Sequence, residues 1–167
     1  MCDISIFDSV LKISQIFVTG ILGWFAYQIA KNQLSVNKNK LRFDLYEKRY
    51  GLYLKFNEFV SKIVRSAKAS MDENLLFYFH TKESFFLMPE VYPYLEEIFQ
   101  KANRLQYLNG RYEYFTSNPN SDHPDRNKLQ DFIKEESEIV IWFHDQIDYA
   151  RIIFGKYLSF PEEIKIQ

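Results

Sequence analysis

The sequence contains one cysteine, three histidines, five glycines and five prolines among 167 residues. A single cysteine, Cys2, excludes an internal disulfide and a clustered thiolate metal site. It follows Met1 directly, without a lipoprotein signal, so lipidation has little to rest on. The histidines, His80, His123 and His144, lie too far apart for metal-ligand spacing. His123 sits beside Asp122 and Asp125 and reads as part of a solvated turn, and His80 reads as a helix-end residue. His144 and Asp148 are one helical turn apart, which reads as a local hydrogen bond rather than an acid–base pair. A glycine-rich phosphate loop and a nucleophile elbow are both missing. No catalytic residue, metal, cofactor or small-molecule substrate is expected, and the chain does not read as an enzyme.

Formal charge is also missing across residues 13–30, ISQIFVTGILGWFAYQIA, eighteen positions bounded by Lys12 and Lys31. As a helix this stretch rises about 27 Å, close to the roughly 30 Å hydrocarbon core of a bilayer. It reads as a transmembrane helix. Ser14, Gln15, Thr19 and Gln28 keep a buried core helix open as the alternative. A cleaved signal peptide fits less well, because the stretch is long for such a segment and no small-x-small cleavage site follows. Trp24, Phe25 and Tyr27, just before Lys31, resemble an interfacial aromatic anchor with a snorkelling lysine beyond it. No second apolar stretch of this length occurs, so one pass is expected. Asp3, Asp8 and Lys12 precede the span, whereas Lys31, Lys38, Lys40, Arg42, Lys48 and Arg49 follow it. The basic excess places the C-terminal side in the cytoplasm and residues 1–12 outside it.

Gln15, Thr19, Gly23, Ala26 and Ala30 recur at helical spacing and form one polar-to-small stripe. Small residues allow helices to approach closely, and Gln and Thr can bond across a helix pair. The same stripe could line a lumen in a ring of helices. An unremarkable anchor is the plain alternative.

Beyond the span, residues 32–69 carry Leu34, Leu41, Leu45, Leu52, Phe56, Phe59 and Ile63 on one face of a long helix. This predicts a coiled-coil-like stalk or the principal helix of a bundle, continuous with the span or nearly so. Gly51 weakens it by about 1 kcal/mol without ending it. Ser70 and Glu73 form a candidate capping box for a second, aromatic-rich helix that stops before Pro89. A third helix is expected over residues 90–114, with Pro93 in its first turn. Residues 116–127 read as a loop, and a final helix is expected over about residues 125–158, ended by Pro161. The expected organisation is all-α: residues 1–12 extracytoplasmic, 13–30 transmembrane, 31–160 a cytoplasmic helical bundle headed by a stalk helix, and 161–167 a flexible tail. Sixteen Phe, twelve Tyr and two Trp supply the core, with tyrosines left over for subunit contacts, which favours a homo-oligomer.

A net charge of −1 conceals an asymmetry, since residues 31–70 carry net +7 and residues 71–167 net −7. The basic segment, with Lys31, Lys38, Lys40, Arg42, Lys48 and Arg49 nearest the span, suits anionic headgroups. In an assembly the same cations could instead form a vestibule that attracts RNA.

A single N-terminal span, the basic stretch KLRFDLYEKRY at residues 40–50 and a small aromatic-rich helical domain resemble a known bacterial family. This is the family of membrane-anchored accessory proteins encoded beside RNA-targeting type VI-B CRISPR effectors. The resemblance implies a divergent HEPN-like helical domain, an inner-membrane location, and assembly into a pore that strengthens defence against phage. It implies RNA or an RNA-guided effector as partner. HEPN ribonucleases place a His four to six residues after an Arg, and no Arg here has one. RNA cleavage is therefore not expected. The expected function is an oligomeric pore that permeabilises or depolarises the membrane. The alternatives are a single-pass adaptor that recruits a protein partner, and a catalytically degenerate RNA-binding domain.

Overall fold

The computed structural model describes residues 3–118 and 125–159, with side chains from residue 13 onward. The described residues form four α-helices: α1 (Asp3–Ser66), α2 (Met71–Leu87), α3 (Tyr92–Ser117) and α4 (Leu129–Leu158). A single 3-10 turn, Arg126–Lys128, leads into α4. The protein is all-helical, with one N-terminal apolar helix long enough to cross a membrane and a separate helical bundle. His123, Cys2, Pro161 and the tail expected over 161–167 lie outside the described residues.

The expected span and stalk are one helix of 64 residues, which runs through Gly51 without interruption. The chain divides into two compact units between residues 44 and 45. Among the described residues of the first unit, α1 is the only element. In the second, residues 45–66 of α1 pack with α2, α3 and α4. The apolar face expected from Leu34 to Ile63 divides at the same point. Leu34 and Leu41 are exposed and Leu45 is half-buried, whereas Leu52, Phe56, Phe59 and Ile63 are core.

Aromatic rings join all four helices. Phe59 of α1 stacks on Phe77 of α2 with ring centroids 4.1 Å apart. Phe56 lies 5.7 Å from both Tyr94 of α3 and Phe154 of α4. Leu95, Ile98, Ala102, Leu105 and Leu108 give α3 a continuous buried stripe, as its i, i+3, i+4 spacing requires. The Arg104 guanidinium forks onto Glu135 with bonds of 2.7 and 2.6 Å, tying α3 to α4. This pair lowers the Glu135 pKa from its ordinary value, because the hydrogen bond favours the carboxylate.

Connections are made by named side chains. Ser70 caps α2, its hydroxyl accepting from the Glu73 amide at 3.3 Å, as the capping pattern predicts. Before it, Ala67 adopts φ +52°, the left-handed conformation that ends many helices. Asn109 of α3 clamps this turn. Its amide donates to the Ala67 carbonyl at 3.3 Å and to Glu136 at 3.0 Å, and its oxygen accepts from the Ala69 amide at 3.2 Å. Between α2 and α3, the buried Asn74 donates to Asn103 and Gln106, while its own carbonyl oxygen finds no partner.

Candidate membrane segment and association surfaces

The apolar window within α1 has mean hydropathy 1.3, and none of it is buried inside the chain. Gln15, Thr19, Gly23, Ala26 and Ala30 are all exposed on the uninterrupted helix. At about 100° per residue they fall within an arc of roughly 80°, a single stripe. Nothing in the chain lies within 4 Å of a Cβ built at Gly23, so no contact within the chain requires glycine there. The Thr19 hydroxyl donates to the Gln15 carbonyl at 2.8 Å. That bond satisfies the Thr19 hydroxyl within its own helix, whereas the Gln15 carboxamide is exposed.

The basic residues divide in use. Lys31, Lys38, Lys40, Arg42 and Lys48 are exposed. Lys31, Lys38 and Arg42, at steps of seven and four, share one side of α1, and Lys40 lies opposite them. Arg49 is half-buried and donates from Nε to the Leu87 carbonyl at 3.1 Å. Its guanidinium also lies 5.3 Å from the Tyr157 ring centroid. Arg49 therefore supplies the cation at the C-terminal end of α2, which has no basic residue in its last turn.

The two described histidines, His80 and His144, have separate surroundings. His80 Nδ1 lies 3.3 Å from Lys55 Nζ, and its pKa is lowered first by burial and then by that lysine's charge, with Glu83 opposing. His144 lies 3.7 Å from Asp145 rather than against Asp148, which pairs with Arg151 at 3.4 Å. The His144–Asp148 hydrogen bond expected from the sequence is replaced, because both side chains are exposed and each has a nearer partner. Among the described residues no group of three His, Cys, Asp or Glu could hold a metal. A shallow depression of about 540 Å³ lies between α3 and α4, lined by Tyr112, Ile133, Val140 and Ile141 with Glu136 and Ser137. It gathers no reactive groups.

Sequence reasoning missed the outward side of α2. Leu75, Leu76 and Phe79, in the aromatic-rich helix expected after Ser70, are all exposed, as are Met71 and Phe86. The signal was present in the spacing. Apolar residues fill both sides of α2, more than one buried face can use.

Comparison of the chain with protein-family models, curated proteins and solved structures finds no match.

Proposed function

We propose that the protein is a single-pass bacterial inner-membrane protein whose copies assemble into an oligomeric pore that permeabilises or depolarises the membrane. The cellular role we assign to it is anti-phage defence alongside an RNA-guided effector. The N-terminus lies outside and the bundle in the cytoplasm, an orientation supported by the basic residues that follow the span. The observation that carries the reading is the apolar window of α1 with none of its surface buried in the chain. A core helix of that hydropathy would be covered by its own fold, so this one is left for lipid or for other copies. The exposed Gln15 carboxamide supports contact with a neighbouring helix or a wet lumen, since lipid offers it no partner. No reaction is assigned to the bundle, which acts by association.

The test is the native mass of the full-length protein in mild detergent, corrected for bound detergent, followed by ion flux in liposomes. A discrete ring of six or more copies with flux that Gln15→Leu reduces is the expected result. A monomer or dimer refutes a multi-helix channel.

A second reading, a single-pass adaptor that recruits a protein partner, is favoured by the apolar outer side of α2. It predicts a monomer or dimer with a dry transmembrane contact. RNA recognition by the exposed Lys38, Lys40 and Arg42 is checked by binding at low salt, before and after their neutralisation.

A further inference from the structure

α2 buries Asn74, Phe77, Thr81 and Ser84 against the bundle, and its other side is apolar as well. Met71, Leu75, Phe79 and Phe86 follow one another at steps of four, four and seven, with Leu76 alongside. They are 71, 52, 60, 83 and, for Leu76, 59% exposed. Taking about 200 Å² for each large side chain, the exposed fractions amount to about 650 Å² of apolar surface on one face, with Lys82 and Glu83 set between Phe79 and Phe86. The largest apolar patch on a typical monomer is about 300–600 Å². A standard protein interface takes about 800 Å² from each partner. The α2 face thus has the size of an interface core.

Its rim says what kind of partner fits. Lys55 pairs with Glu83 at 3.7 Å, and Lys62 with Glu58 and Glu73 at 3.1 and 3.6 Å. Lys82 donates to Tyr92 at 2.6 Å and to Glu96 at 3.3 Å. Each lysine on or beside the face already holds a carboxylate. A surface built for anionic headgroups or nucleic acid keeps its cations available, and this rim does not. Near-neutrality suits an isologous contact instead, where the same patch stands on both sides and like charges must not oppose. The ends of α2 are complementary too. Its first turn carries Asp72 and Glu73, of which Glu73 is held by Lys62, while Arg49 provides the cation at the Leu87 end. An antiparallel pair brings the acidic end of one helix to the Arg49 end of the other.

We infer that α2 is a self-association surface, through which two copies of this chain pair antiparallel about a two-fold axis near Phe79, covering Leu75, Phe79 and Phe86. The inference rests on the oligomeric reading above and names one contact that builds the assembly, separate from the stripe in residues 13–30.

The test uses the full-length chain with Cys2→Ser, in mild detergent and in lipid vesicles. A residue near a two-fold axis faces its own copy, so Phe79→Cys with a short bismaleimide gives a covalent dimer from most of the protein. Gln130→Cys, exposed on α4, gives none. Phe79→Glu with Phe86→Glu lowers the native mass at least twofold without moving the bundle's melting transition, because both side chains are exposed within the chain. An oligomeric mass with no cross-link at position 79, unchanged by the two glutamates, overturns the α2 pairing and leaves the oligomeric reading standing. A monomeric mass overturns both. A cross-linked dimer that passes no ions upholds the pairing and overturns the pore. A fluorophore at position 79 that is shielded from iodide only in vesicles, with no cross-link, assigns the face to lipid and overturns the pairing.

Discussion

Replacing Arg49 separates a structural cation from a ligand-binding one. From sequence it belongs to the basic cluster that follows the uncharged stretch, together with Lys48. In the fold its Nε donates to the Leu87 carbonyl at 3.1 Å and its guanidinium faces the Tyr157 ring at 5.3 Å. A hydrogen bond from a charged donor contributes about 1.5–3 kcal/mol, and a cation–π contact at a partly exposed site about 0.5–1 kcal/mol. Discounted for half-burial, Arg49→Gln should cost about 2 kcal/mol, the more so because the Leu87 carbonyl then loses its donor. A bundle of this size should lose about 8 °C in Tm for that amount. Lys48→Gln, an exposed neighbour, should stay within about 0.5 kcal/mol of the parent. Arg49→Lys keeps the charge but not the guanidinium geometry and should fall between the two. The assay is tryptophan emission during heating in a Trp24→Phe background, so that Trp142, edge-on to Phe143 at 5.2 Å, reports the bundle alone. If Arg49→Gln melts like the parent while binding of RNA or anionic vesicles is lost, the clamp is refuted and Arg49 is a surface cation.

Three further outcomes test the fold and its titration. Asn109→Ala removes two hydrogen bonds to the α1–α2 turn and one to Glu136 of α4, and should cost about 2 kcal/mol. Hydrogen exchange at the Ala69 amide should accelerate by at least tenfold, and unchanged exchange there would contradict the clamp. Ala67→Gly relieves a left-handed residue and should raise stability by about 0.5–1 kcal/mol in denaturant titration, whereas a loss would show that the turn is not strained. His80 has a folded-state pKa below its unfolded value, so below about pH 6.5 the unfolded chain takes up the proton first. That contribution is present at neutral pH and is lost as pH falls from the unfolded pKa through the folded one. His80→Gln should flatten the decline of Tm between about pH 7 and pH 5.5. An identical decline in both proteins assigns it to other groups.

Much of the architecture was legible residue by residue. Ser70 and Glu73 fixed the start of α2, and Pro93 falls in the first turn of α3 as its missing N–H permits. The spacing from Leu52 to Ile63 marked the bundle's principal helix, because a 3.6-residue period is a local property of the chain. Helix ends were less legible. The helix expected to begin near residue 125 opens with a 3-10 turn at Arg126–Lys128, where Asp125 ties Lys128 and Arg111 at 3.2 and 3.4 Å. Those ties depend on residues distant in sequence or on backbone geometry that spacing does not reveal.

Charge and hydropathy along the chain, by themselves, determined that the protein is helical, that residues 13–30 are free of charge at a length a bilayer accepts, and that cations crowd the segment after them. Each of these is a property of neighbouring residues and survives any packing. Only the tertiary structure decided which apolar faces are covered. Leu52 and Phe56 became core while Leu34 and Leu41 stayed exposed, although one periodic pattern carries all four. Phe77 was buried and Phe79, two residues on, was left at the surface. Arg49 was drawn from the basic cluster to the end of α2, while Lys48 beside it was not. Burial is a relation between faces brought together from different parts of the chain, so no one-dimensional pattern contains it.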